Sequence, residues 1–235
     1  MRILAVADLH YALRQFDWVG EHLDGIDLLV IAGDLLDLRS PVELDVQEIV
    51  VKNYLRRFAE KHTLLASSGN HDIRETPGRQ ERSADWMASR GVIADYASHE
   101  RDGVLFTVCP WWDGPESRAK TERRIDADAA KDKHTWIWLH HNPPAGTPVA
   151  WTGTGHRGDP VALGWIEKYQ PDFVFSGHIH NAPFYAAGSW HSRVGKSIVF
   201  NAGRQPGREP TRIVLDLALR RAEWFSIEAI ETLEF

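Results

Sequence analysis

Five short stretches of the chain carry side chains able to bind cations or move protons. They are Asp8-Leu9-His10, Gly33-Asp34, Gly69-Asn70-His71-Asp72, His140-His141-Asn142-Pro143-Pro144 and Gly177-His178-Ile179-His180. Aspartate offers an anionic oxygen, asparagine a neutral carbonyl oxygen, and histidine an imidazole that titrates near neutral pH. This mixture of nitrogen and oxygen donors suits zinc, manganese, iron, cobalt or nickel, whereas calcium and magnesium favour oxygen alone. No thiolate joins the set, which argues against a structural zinc site. One such stretch alone reads as an ordinary polar cap on a strand. Five together do not, because burying that many imidazoles and carboxylates without a cation is costly. Two first-row cations need roughly seven protein ligands when water fills the open positions. A carboxylate can bridge both ions, and Asp34, beside the permissive Gly33, is the natural bridge.

Each stretch follows an apolar run of strand length. Arg2–Ala7 and Asp27–Ala32 read as strands covered on both faces, and Thr63–Ala66 as a third. A helix is expected over Phe16–Leu23, closed by Gly25. A second is expected from Ser40-Pro41-Val42-Glu43, with Ser40 as cap and Glu43 closing a capping box, through to His62. Strands alternating with helices imply parallel pairing, which collects functional groups at the carboxyl ends of the strands. Farther along, helices are expected over Arg82–Arg90, Glu116–Lys133 and Pro160–Tyr169, and strands over Val104–Cys109, Trp136–Leu139 and Phe173–Ser176. The tail reads as antiparallel: Ile198–Phe200, Arg212–Leu217 and Ala222–Glu228. No linker divides the chain, so a single domain over residues 1–235 is expected.

Apolar residues at 43% and charged residues at 26% describe a water-soluble globular chain. The net charge of −6, with no basic run, disfavours nucleic acid as a partner. No apolar stretch has membrane-spanning length, so no membrane partner is expected. The single cysteine, Cys109, rules out an internal disulfide and suits a reducing compartment. With the first strand starting at Arg2, no signal peptide is expected, and a cytoplasmic location follows. Oligomeric state is left open.

The ordered set Asp-x-His, Gly-Asp, Gly-Asn-His-Asp, His and Gly-His-x-His, spanning Asp8 to His180, resembles the calcineurin-like metallophosphoesterases. The resemblance implies an α/β fold, a four-layer αββα sandwich of two mixed β-sheets flanked by helices. It also implies a binuclear centre holding two divalent first-row transition metals (Mn, Fe, Zn, Ni or Co). Asp8, His10, Asp34 and His180 would hold one, and Asp34, Asn70, His178 and a histidine of the 140–141 pair the other. Family members put one residue between that histidine and the prolines, which favours His141 over His140. The implied reaction is hydrolysis of a small phosphoester by metal-activated hydroxide. His71 would hydrogen-bond the phosphoryl group or protonate the leaving oxygen, with Asp72 orienting its ring.

Departures from the family narrow the substrate. Protein phosphatases of the superfamily carry Gly-Asp-x-x-Asp-Arg-Gly, but here Arg39 falls one place late and no glycine follows. The pattern is most similar to small bacterial phosphodiesterases of the cyclic-nucleotide class. A phosphodiester is therefore expected ahead of a phosphomonoester. Trp111, Trp112 and Trp151 flank the expected site and could stack a base, although packing is the commoner role for tryptophan. His156 lies in a Gly-rich loop near the site, and Asn201-Ala202-Gly203 follows another strand that could reach it. The alternatives are a non-catalytic protein-binding scaffold on the same fold, which could lose His71 and its neighbours freely, and a nuclease, disfavoured by the acidic charge.

Overall fold

The computed structural model describes every residue from Met1 to Phe235. In chain order the elements are β1 (Arg2–Val6), α1 (Leu13–Glu21), β2 (Leu28–Ala32), α2 (Leu44–Ala59) and β3 (Thr63–Ser67). Then come β4 (Val92–Ile93), β5 (Ser98–Arg101), β6 (Val104–Val108), α3 (Pro115–Ala129), β7 (Thr135–Leu139), α4 (Pro160–Tyr169) and β8 (Phe173–Ser176). The chain ends with β9 (His191–Val194), β10 (Ser197–Asn201), β11 (Arg212–Asp216), β12 (Arg221–Phe225) and β13 (Ile230–Glu234).

These strands form two mixed sheets. The first has seven strands in the order β13-β12-β11-β1-β2-β3-β4, and the second has six in the order β5-β6-β7-β8-β10-β9. β1 to β4 run parallel, as do β6, β7, β8 and β10, while antiparallel strands complete the edges. The alternation of side chains along each strand explains why the central strands are apolar throughout. Ile3, Ala5, Leu28 and Val30 face inward and meet Phe106, Ile137, Phe175 and Phe200 of the other sheet. Leu4, Val6, Leu29 and Ile31 face outward under Phe16 and Val19 of α1 and Val51 and Leu55 of α2. On the far side, Trp136, Trp138, Val174 and Val199 pack under Ile125 of α3 and Trp165 and Ile166 of α4. Fully burying each such aliphatic or aromatic side chain contributes ~1.5–3 kcal/mol. The result is the four-layer αββα sandwich implied by the sequence resemblance. No helix is long and apolar enough to cross a membrane.

Several elements differ from the sequence expectation. The capping box at Ser40 does not form, and α2 begins at Leu44 without a side-chain cap. The buried Gln47 is the reason: its amide donates to the carbonyls of Asp37 and Val42 and accepts from the Asp37 N–H, holding residues 37–42 in a bend. The helix expected over Arg82–Arg90 shrinks to one 3-10 turn, Asp85–Met87. Ser83 is instead paired with Arg74 in an isolated bridge, and Arg82 is held by Asp113 through backbone and side chain. The α3 helix stops at Ala129, because Lys133 folds back to donate to the carbonyls of Asp128 and Ala129. β10, expected to be antiparallel, pairs parallel with β8 and antiparallel only with β9.

Candidate metal centre

All the selected stretches meet at the carboxyl ends of parallel strands. Asp8 and His10 follow β1, Asp34 follows β2, and Asn70 and His71 follow β3. His140 and His141 follow β7, and His178 and His180 follow β8. Backbone hydrogen bonds lock the turns together: Asp8 N–H donates to Gly33 O at 3.0 Å, His10 N–H to Asp34 O at 2.9 Å, and Gly177 N–H to His141 O at 2.9 Å. The carboxylates also accept from backbone, His71 N–H at Asp34 Oδ1 (2.9 Å) and His178 N–H at Asp8 Oδ2 (3.0 Å). Asp8, His10, Asp34 and His178 all adopt left-handed backbone, with φ of 54°, 42°, 54° and 67°. Strain of this kind persists only where surrounding structure over-determines it, and it concentrates at functional sites.

The glycines of the motifs are required by close approach. A Cβ at Gly69 would sit 2.1 Å from Asp34 Oδ1, and one at Gly177 would sit 2.4 Å from Asp8 Oδ2. Any side chain there would push a carboxylate out of place.

The donors fall into two groups that share Asp34. One comprises Asp8, His10, Asp34 and His180, and the other Asp34, His141 and His178, with ligand atoms within 4.8 Å of one another in each. His10 Nε2 lies 3.0 Å from His180 Nε2, and His180 Nε2 lies 3.2 Å from Asp8 Oδ1. His141 Nε2 lies 3.2 Å from Asp34 Oδ2. Donors about 2.1 Å from one cation and at right angles are ~3.0 Å apart, so these spacings suit a shared first-row metal. Two orphaned atoms point the same way. Asn70 Oδ1 and His141 Nε2 are buried with no hydrogen-bond partner. His141 donates from Nδ1 to Ala32 O at 2.7 Å, so Nε2, 3.2 Å from Asp34 Oδ2, is the atom that would ligate a metal once its proton is displaced. The residues present therefore fit divalent metal.

The electrostatics agree with that reading. Burial acts to raise the Asp8 carboxyl, but hydrogen bonds to His10 and His180 bring it well below the usual carboxylate range. Asp34 is likewise lowered against its burial, chiefly by His141. Burial depresses His141, yet Asp34 and Asp8 outweigh it and push the imidazole up to about 10. His178 goes the other way, to about 4, through burial and the neighbouring His141. The pocket thus concentrates negative charge that a proton on His141, or a cation, must neutralise.

The structure separates the two adjacent histidines. His141 lies among the donors, whereas His140 stacks on Trp112 (centroids 4.4 Å apart, planes 11° apart) and belongs to neither group. His71 is half-buried at the mouth, its ring 4.4 Å from that of His10. Its Nδ1 accepts from Leu38 N–H at 3.2 Å, so the neutral ring carries its proton on Nε2, which lies 4.0 Å from Asp34 Oδ2. Burial lowers its pKa.

Asp72 does not orient the His71 ring. Its side chain is wholly buried, with Oδ1 accepting from Leu35 and Leu36 N–H (both 2.9 Å) and Oδ2 from Gly69 N–H (2.8 Å). It staples the Asp34 turn to the Asn70 turn. Burial and the Asp34 charge push its carboxyl up to about 8 against those donors. The residue near His71 that sequence reasoning passed over is Asp37, which groups with His10 and His71. The signal was the Gly33-Asp34-x-x-Asp37 spacing, weighed only for its missing arginine. Asn201 is a brace: its amide donates to the carbonyls of Val149 and Ile179, behind the His178–His180 turn. His156 gives one ring nitrogen to Thr147 O and packs on Trp151.

The αββα sandwich gathers aspartate, asparagine and histidine donors outside the carboxyl ends of its parallel strands, where sheets of this kind bind ligands. Residues 1–182 match the calcineurin-like phosphoesterases, and the chain belongs to that family. It is 26% identical over 188 residues to purple acid phosphatase 21 of Arabidopsis thaliana, covering 72% of this chain and 42% of that protein's length. Among solved structures it resembles a purple acid phosphatase from yellow lupin seeds, with a TM-score of 0.61, 14% identity, 100% of this chain and 51% of that one covered. It also resembles a Thermus thermophilus protein with a TM-score of 0.60, 15% identity, and coverage of 99% and 98%. At these identities the structural likeness speaks to the fold alone.

Proposed function

We propose that the protein is a di-metal phosphoesterase, a single catalytic domain that hydrolyses a small phosphodiester of nucleotide type in preference to a monoester. The observation that carries this reading is the pair of donor groups sharing Asp34 beside a half-buried His71. Asp8, His10, Asp34 and His180 would hold one divalent first-row cation, and Asp34, Asn70, His141 and His178 the other. Bound cations of this kind supply Lewis acidity toward phosphoryl oxygens and bring the pKa of water toward neutrality.

The protein's own groups do the rest. His71 presents its Nε2–H at the mouth of the site, held there by the Leu38 N–H on its other nitrogen. That N–H is placed to hydrogen-bond a phosphoryl oxygen; to protonate a departing alkoxide the ring must first take a second proton on Nδ1, releasing the Leu38 N–H, and it returns to neutral as the Nε2 proton leaves. Burial lowers the pKa of the ring against the opposing pull of the Asp34 and Asp37 carboxylates, so the neutral form is favoured. The diester preference rests on the likeness of the ordered motifs to small bacterial phosphodiesterases of the cyclic-nucleotide class; the run ending at Arg39 argues only against a phosphoprotein substrate. The lone buried Cys109 suits a reducing compartment, and we place the protein in the cytoplasm. The test is turnover of bis-p-nitrophenyl phosphate against p-nitrophenyl phosphate, with and without added Mn²⁺. Faster metal-dependent turnover of the diester is expected; no turnover of either ester with any first-row metal overturns the reading.

A further inference from the structure

Trp111, in the loop after β6, packs partly against the core beneath α1 and α2 and is otherwise open toward the site. Trp112 is stacked on His140 and meets Trp165 edge-on, and Trp151 packs on His156. Trp86, Trp136, Trp190 and Trp224 each give their indole N–H to a protein acceptor. Trp111 is half-buried, and its indole N–H is neither bonded to protein nor among the buried orphans, so it meets solvent. Its ring centroid lies 5.1 Å from that of His178 and 5.9 Å from that of His141. A large aromatic surface therefore borders two of the proposed ligands and remains partly open.

The loop that carries it is held from several sides. Trp111 N–H donates to Ser68 Oγ at 3.0 Å, and Ser68 N–H donates in turn to Asp95 Oδ1 at 2.9 Å. Just before it, Cys109 N–H donates to Leu139 O at 2.8 Å. Just after it, Asp113 is gripped by the Arg82 guanidinium at 2.6 Å. A tryptophan fixed in this way offers contact area at little entropic cost on binding.

We propose that Trp111 walls a subsite for a planar aromatic substituent of the phosphoester, an aryl group or nucleobase, on the His141 and His178 side of the centre. The inference deepens the phosphoesterase reading and rests on it. Stacking of a base on an aromatic side chain is worth ~1–3 kcal/mol, or roughly 5- to 150-fold in affinity.

The test uses metal-loaded protein and two ligands whose C–P bond resists hydrolysis, phenylphosphonate and methylphosphonate, titrated by calorimetry. Wild type is expected to bind the phenyl compound at least 5-fold more tightly. Trp111→Ala should abolish that difference, and Trp111→Phe should keep part of it, with metal content unchanged in both. In turnover, Trp111→Ala should raise KM for bis-p-nitrophenyl phosphate on metal-replete protein. Equal phosphonate affinities in wild type overturn the subsite. So does a Trp111→Phe protein that loses metal and activity together, since that marks the ring as mere packing for the ligands. If wild type binds neither phosphonate and does not cleave the ester, the phosphoesterase reading itself falls, and the subsite with it.

Discussion

Replacing Asp72 with asparagine isolates the staple beneath the centre. The Asn Oδ1 can still accept from Leu35 and Leu36 N–H, but its amide then faces the Gly69 N–H, donor against donor. With the carboxyl pushed up to about 8, the bond lost at neutral pH is one to a largely neutral acceptor, worth ~0.5–1.5 kcal/mol, and a buried N–H is left unpaired at ~1–3 kcal/mol. These overlap, so the expected loss at neutral pH is ~1–3 kcal/mol, a sizeable part of the ~5–15 kcal/mol that holds a typical domain together. Urea unfolding of chelator-stripped wild type and variant, monitored by tryptophan fluorescence, measures it. The variant should also hold metal less tightly, because the Gly69 turn that cradles Asp34 Oδ1 is loosened. A loss below about 1 kcal/mol refutes the staple. A stable, metal-replete variant whose pH–rate profile shifts would return Asp72 to a role in orienting His71.

His71→Ala should retain both metals and lose ~10²–10⁴-fold in rate on a diester with an alkoxide leaving group, and less on a p-nitrophenyl ester. Equal losses on both make His71 a binding residue, and lost metal makes it a ligand. His141→Ala should empty the site shared with His178, whereas His140→Ala should cost packing against Trp112 and leave metal content intact. The reverse order would put the wrong histidine in the centre. Because Asp34 and Asp8 hold a proton on His141 up to about 10, metal uptake at neutral pH must displace it. Affinity should rise as pH rises from 6 toward 9, with about one proton released per chain from this group, read by calorimetry in buffers of different ionisation heat. Uptake that releases no proton contradicts this.

The donors were legible because each is carried by a local pattern: an apolar run, a turn, then a polar residue at the strand end. The parallel core was legible for the same reason, with Ile3–Val6 and Leu28–Ala32 apolar on both faces. What escaped depends on contacts distant in sequence. Ser40-Pro41-Val42-Glu43 has every local mark of a helix start, yet the side chain of Gln47 overrides it. His191–Val194 and Ile230–Glu234 are edge strands with polar, exposed positions, so they lack the alternation that announces a strand. Asp72 sits beside His71 in sequence, but the turn that aims His71 at Leu38 N–H aims Asp72 into the backbone beneath. Neighbourhood in the chain was not neighbourhood in space.

The most direct test of the central claim is a crystal structure of Mn²⁺-loaded protein with an anomalous difference map. Two peaks are expected, one among Asp8, His10, Asp34 and His180 and one among Asp34, Asn70, His141 and His178, with Asp34 touching both and His71 touching neither. A map with no peak at this site, or with a single metal held by His71 or His140, would contradict it.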